Sequence, residues 1–232
     1  MQSISKRIAE LNLRLNAAAR KANRSAAGVR LIAVSKTHDA AAIRSAAAAG
    51  LQDFGENYLN EALPKIRALG DLRLTWHFIG AIQSNKTADI ARNFQWVQTV
   101  DRLKIAERLS RQRPEGAGPL NVLIQINIDD EPQKAGIRAA ALAEFAAQLL
   151  PLPRIRLRGL MAIPRPVDDP AQQAAAFRRM RELFSAAKPT GATHWDTLSM
   201  GMSGDFEIAI AEGATMVRIG TAIFGPRTPR TP

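Results

Sequence analysis

The sequence has no cysteine. Disulfides, thiolate metal ligands and thiol catalysis are therefore excluded. Aromatic residues are scarce, at 5%, and only one of them is a tyrosine. A platform for stacking single-stranded bases wants more. No apolar run approaches the roughly 20 residues that span a bilayer, and residues 1–24 carry basic and acidic side chains throughout, with no continuous apolar stretch of signal-peptide type. A soluble, cytoplasmic protein with no membrane association is expected.

What is present is charge, mostly of one sign. The 232 residues carry a formal net charge of +11, with a pI of about 10.9. Such a balance raises the question of nucleic acid. The arginines, however, are scattered over "RQR" (111–113), "RIRLR" (154–158) and "RRMR" (178–181). That distribution reads as a solvated basic surface with some attraction for anions, and nucleic acid is not the expected partner. Hydrophobic residues make up 46%, enough for one substantial core.

Periodicity gives the architecture. Ile4, Ile8, Leu11 and Leu15 fall on one face of a helix over 3–22. Strand-like and helix-like segments then alternate. The strands are expected at 30–36, 51–57, 74–80, 94–100, 120–127, 156–163, 195–201 and 215–220. Helical patterns lie at 39–49, 57–69, 84–92, 101–112, 138–149, 170–187 and 204–212, and residues 111–119 read as a surface loop. Eight strands with helical crossovers imply parallel βαβ units. An open doubly wound sheet is compatible with that count. The even number and the chain length favour a single (β/α)8 TIM barrel over 1–232 with an extra N-terminal helix.

In such a barrel the site lies at the C-terminal ends of the strands. Lys36 ends the first strand directly after the apolar run "LIAV". By spacing alone it can reach solvent, pair with an anion, or act as an amine nucleophile. Gly201, Ser203 and Gly204 follow strand seven, and Gly220 and Thr221 follow strand eight. Glycine lets the backbone approach an anion closely, and the hydroxyls add donors. Ordinary helix capping by Ser203 or Asp205 explains either loop alone. Together they leave a phosphate site open beside simple capping. Arg218, two residues before Gly220, can face the same mouth or form a buried ion pair.

The segments "AVSKTH", "FGENYLNEALPK", "WHFIGAIQSNK", "NVLIQINIDDEPQKAGI", "RGLMAIP" and "LSMGMSGDFEIAIAEGATMVRIGTAIFG", in this order from about residue 30 to residue 227, resemble the pyridoxal phosphate homeostasis proteins. These belong to the alanine racemase N-terminal-domain family. The resemblance implies pyridoxal 5'-phosphate held at the mouth of one barrel. It implies Lys36 as the Schiff-base lysine, Asn57 lining the cofactor, and Ser199, Ser203, Gly220 and Thr221 in the phosphate-holding loops. Arg218 is implied against the pyridine nitrogen. His77 matches a family position without an assigned role, and as a strand residue beside Trp76 it reads as a core histidine. His38 stands where many members carry another lysine, whereas Lys86 and Lys134 are kept. The implied role is cofactor storage, buffering or delivery by a monomer, possible partners being enzymes awaiting the cofactor. A racemase of low or narrow activity is the alternative, and an RNA-binding protein a weaker third. Racemases of the related fold draw a catalytic tyrosine from another domain, and Tyr58 matches no such position.

Overall fold

The computed structural model describes residues 2–226. The ends of the expected 1–232 domain lie outside that range. Eight parallel strands close into a barrel in the order β1 to β8, with β1 paired to β8. The strands are β1 (Arg30–Val34), β2 (Asp53–Glu56), β3 (Thr75–Phe78), β4 (Trp96–Val100), β5 (Leu120–Ile126), β6 (Ile155–Ala162), β7 (Thr197–Ser199) and β8 (Met216–Ile219). Helices α2 (Ala40–Ala48), α3 (Leu59–Ala68), α4 (Thr87–Asn93), α5 (Leu103–Gln112), α6 (Leu142–Leu149), α7 (Pro170–Ala186) and α8 (Phe206–Ala211) cross back between them. The short α9 (Thr221–Phe224) follows β8, and α1 (Ile4–Lys21) precedes the barrel.

Local chemistry starts these helices where the chain needs them. The Ser3 hydroxyl accepts from the Lys6 amide to cap α1, and Asp39 does the same for α2 through Ala42. Pro170 opens α7 behind an Asp169 cap, a position where the missing N–H costs nothing. Ile8, Leu11 and Leu15 are the buried stripe of α1. Arg7 on the same helix donates to the carbonyls of Ile223 and Phe224, so α1 braces the end of α9.

Alternation along each strand sorts the core into two layers. Ile32, Trp96, Leu123, Met161 and Met216 fill the barrel interior. A much larger apolar layer, including Phe54, Phe78, Phe94, Leu109, Phe177 and Phe206, packs the sheet against the helices. All eight expected strands are present, and β7 is the shortest, with only three residues. Trp195 belongs to the preceding turn and donates its indole N–H to the Phe184 carbonyl. The loop after α5 is exposed from 114 to 119, as a surface loop, and is anchored only at its root. Arg113 is buried and donates to the carbonyls of Ala91, Phe94, Ala117 and Gly118, fastening the loop to the barrel. Among the described residues no helix is long and apolar enough to cross a membrane.

Candidate functional site at the open end of the barrel

The loops that leave the C-terminal ends of β1, β2, β3, β6, β7 and β8 converge on a cavity of about 270 Å³. Lys36, Asn57, Ser203, Arg218, Gly220 and Thr221 all line it. Lys36 sits two residues beyond β1, half-buried, in a turn that Thr37 completes with a φ of 68°. Its neighbours are held from α3. The Thr37 amide donates to Glu61, and Lys65 donates to the Ser35 carbonyl. The Ser35 hydroxyl donates to Glu56, which also takes the Lys65 ammonium at 2.8 Å. Burial raises the pKa of the Glu56 carboxyl, against the opposing pull of Lys65 and Ser35. This buried trio lies behind the lysine and clamps the backbone that carries it.

The opposite wall is made of donors. The backbone N–H groups of Ser203, Gly204, Thr221 and Ala222 make no hydrogen bond to any other described residue. The hydroxyls of Ser203 and Thr221 lie in the same wall. An added Cβ on Gly204 would meet open space. The three of these amides that belong to lining residues, Ser203, Gly204 and Thr221, together with two hydroxyl-bearing side chains, suit an anion rich in acceptors. Asp205 does not oppose this, since its carboxylate is turned back to accept the Met202 amide.

Arg218 enters from β8. It is buried, and its Nη1 donates to Ser199 Oγ at 2.7 Å while Nη2 donates to the Ala162 carbonyl at 3.0 Å. Burial pushes its pKa down to about 10, with nearby Asp205 opposing the fall. The group is therefore a charged donor at neutral pH, with N–H groups left for the cavity. Asn57 faces it from the end of β2, and its side-chain oxygen is buried with no partner among the described residues.

Ser199 is set apart from the phosphate loops. It is an inward-facing residue of β7, fully buried, and it does not line the cavity. Its hydroxyl is used between Gln98 and Arg218. The reason is parity along the strand: the loop donors begin only after Gly201. Sequence reasoning also missed Val34, Ile79, Ile163 and Met202, which add an apolar lining. Met202 stands inside "SMGMSGD", and Ile79 shares the inward parity of His77, so both had a local signal.

The remaining family-like positions lie elsewhere. Lys134 is salt-bridged to Asp129 at 3.2 Å and Glu131 at 2.9 Å. Burial works against its charge, but those two carboxylates outweigh it and raise its pKa. Lys86 and Tyr58 line a neighbouring cavity of about 590 Å³ that shares Asn57. That larger hollow lacks the paired glycine loops and their open amides. The His38 ring stacks on Phe224. No cluster of metal-ligand type occurs among the described residues.

Comparison with known proteins gives the family. Residues 10–228 match the family described as "Alanine racemase, N-terminal domain". A pyridoxal phosphate homeostasis protein of Pseudomonas aeruginosa is 57% identical over 98% of this chain and 97% of its own length. The chain belongs to this family. The protein of the same name from Escherichia coli is 52% identical, covering 98% of each chain. PipY of Synechococcus elongatus, solved with pyridoxal phosphate bound, superposes with a TM-score of 0.82 at 38% identity, over 96% of this chain and 100% of its own.

The glycine just beyond β3 has a checkable packing role. A Cβ on Gly80 would lie 2.0 Å from the Asn57 carbonyl oxygen. Gly80→Ala is expected to displace Asn57 and destabilise the fold by roughly 1–3 kcal/mol through overpacking. Unchanged melting would contradict that packing.

The histidine of "WHFIG" has its own signature. His77 is fully buried, and burial lowers its pKa despite the hydrogen bond to Asp53 at 2.9 Å. The folded protein thus binds fewer protons than the unfolded chain between the depressed value and about 6.5. His77 contributes stability that is complete above about pH 6.5 and is lost as pH falls toward its folded pKa. Denaturant unfolding should show a loss of up to about 1.4 kcal/mol per pH unit in that window. A stability independent of pH from 7 to 5 would contradict a neutral, buried His77.

Proposed function

We propose that this chain holds pyridoxal 5'-phosphate in the open-end cavity and serves cofactor homeostasis, by storing, buffering or delivering it, without robust turnover of its own. The observation that carries this reading is the meeting of Lys36, Arg218 and the open amides of two glycine loops in one hollow. The residues fit the group by their chemistry. An orphaned amide oxygen, an amine, a guanidinium and an anion cup match a ring with polar substituents and a phosphate. When bound, the cofactor supplies an aldehyde carbon that an amine can attack.

Lys36 would provide that amine, and the clamp from Glu56, Glu61 and Lys65 aims it. Ser203 and Thr221 would hold the phosphate with the surrounding amides. Arg218 can only donate, so it would meet the ring nitrogen as an acceptor and leave it without a proton. A ring so held is a weak electron sink, which disfavours transamination and decarboxylation. Two-base racemisation also needs an acid on the second face of the substrate carbon. Tyr58 lines the neighbouring cavity rather than this one, and His77 is buried beneath it.

The test has two arms. The protein loaded with pyridoxal phosphate is offered to a cofactor-free enzyme that requires it, and recovery of that enzyme's activity is followed. In parallel, exchange of the α-proton is measured for a panel of amino acids in deuterated water. Transfer with negligible exchange is expected. Exchange and racemisation at ordinary enzyme rates, on the order of 1–10³ s⁻¹, would overturn the non-enzymatic reading in favour of a racemase.

A further inference from the structure

Beneath the cavity a single file of hydrogen bonds runs through the barrel interior. Arg218 Nη1 donates to Ser199 Oγ at 2.7 Å, and Ser199 Oγ donates to Gln98 Oε1 at 2.7 Å. Gln98 Nε2 lies 3.1 Å from His77 Nδ1, and His77 Nε2 lies 2.9 Å from Asp53 Oδ1. The links join β8, β7, β4, β3 and β2. Ser199, Gln98 and His77 are wholly buried. Asp53 begins β2, at the N-terminal end of the barrel, and Arg218 stands near the C-terminal end of β8. The file therefore connects the two ends of the molecule.

Its direction follows from its ends and from the orientation of Gln98. A guanidinium carries only donors and a carboxylate only acceptors. With Gln98 Nε2 turned toward His77, and His77 neutral, every link between them points the same way. Arg218 donates to Ser199, Ser199 to Gln98, Gln98 to His77 Nδ1, and His77 Nε2–H to Asp53. The Gln98 amide is held in that orientation by a second contact of its Nε2 with Met216 Sδ at 3.1 Å. The His77 ring is held by stacking on Trp96, with 5.4 Å between centroids and 13° between planes. Arg30 lies 3.7 Å from Asp53 and 5.5 Å from the Trp96 ring centroid, and Arg158 lies 4.8 Å from the same ring, so two cations face this end.

Among the described residues Arg218 has no carboxylate in hydrogen-bond contact. Its guanidinium donates only to a hydroxyl and a carbonyl. A buried cation without a direct counter-ion depends on oriented dipoles. The file supplies them, each link polarised by the next toward Asp53.

We propose that His77 is a positioning residue, fixed as the Nε2–H tautomer, that ties the Asp53 carboxylate at the N-terminal end of the barrel to the Arg218 guanidinium at the cavity. The carboxylate at one end thereby fixes the donor geometry presented at the other. The consequence for cofactor affinity rests on the reading that the cavity binds pyridoxal phosphate.

The test uses two substitutions that touch no residue of the cavity lining. Asp53→Asn keeps an acceptor for His77 but removes the charge. Gln98→Met keeps the volume but cuts the file. Each alone should weaken binding of pyridoxal 5'-phosphate by about 5- to 20-fold, less than the loss of a whole charge-assisted hydrogen bond because the effect reaches the cavity only through Arg218. In the Gln98→Met background, adding Asp53→Asn should change affinity by less than about twofold, because the route is already broken. Independent, multiplying effects would overturn the relay, as would wild-type affinity in either single variant. In parallel, nitrogen NMR of the cofactor-free wild type with labelled histidine and arginine should show His77 protonated at Nε2 alone. Asp53→Asn should shift the Arg218 side-chain resonances. A protonated Nδ1, or Arg218 resonances unmoved by Asp53→Asn, would overturn the proposal even if the variants fold poorly. Should the wild type fail to bind the cofactor, the functional reading falls, and these resonances still decide the relay.

Discussion

Lys36→Ala is expected to abolish the covalent adduct that borohydride would otherwise trap, and to weaken cofactor binding by at least about tenfold, while the fold survives. The lysine contributes little to the core. It lies beyond the last residue of β1 and is half-buried. The backbone around it is secured by other groups: Ser35 by Glu56 and Lys65, Thr37 by Glu61. Truncation should therefore change stability by no more than about 0.5–1 kcal/mol, as for most sites outside the packed core. The substitution separates attachment from shape. Phosphate recognition by the two glycine loops remains in the variant, so residual reversible binding is compatible with the account. Retention of a reducible adduct at wild-type stoichiometry is not, because it would place the reacting amine on another lysine. Lys134 is the poorer nucleophile, since Asp129 and Glu131 hold it as an ammonium.

Pyridoxal lacking its phosphate is expected to bind about 10²- to 10⁴-fold more weakly than pyridoxal 5'-phosphate. Ser203 and Thr221 offer hydroxyls to the cavity, and four neighbouring amides have no other described acceptor. A hydrogen bond to a charged group is worth roughly 1.5–3 kcal/mol. Loss of two such bonds already spans the stated range. Ser203→Ala or Thr221→Val should each cost about ten- to hundredfold for the phosphorylated form. Neither should matter for pyridoxal itself. Competition between the two ligands, followed by the absorbance of the bound cofactor, measures both effects. Equal affinities would remove the anion cup from the account.

The barrel was legible because its signals are local. Eight apolar runs alternate with helical faces, and caps such as Asp39 and Asp169 stand next to the helices they start. Strand ends were less legible. The run "WDTLSMG" looks like a seven-residue strand, yet only Thr197–Ser199 pairs as one. Trp195 has the residue type of a strand but is drawn to the α7 carbonyl of Phe184. The cavity was legible through its loops, since glycine next to Ser203 and Thr221 announces an exposed backbone. The buried polar chemistry was not. Asp53, His77, Gln98 and Ser199 come from four strands, and nothing local says that their side chains meet. Glu56 and Lys65 are nine residues apart on a strand and a helix, so their pairing depends on the crossover. Ser199 shows the difference most clearly. The family resemblance implied a place in the phosphate-holding loops, whereas its inward parity on β7 commits the hydroxyl to Gln98 and Arg218.

The central claim is that Lys36 at the open end of the barrel is where this chain holds pyridoxal 5'-phosphate. The wild-type protein should be saturated with the cofactor, reduced with borohydride, digested, and its peptides weighed by mass spectrometry. The account predicts one dominant phosphopyridoxyl adduct, on Lys36 in the peptide containing "LIAVSK". A dominant adduct on Lys65, Lys86 or Lys134, or none at saturating cofactor, would contradict it.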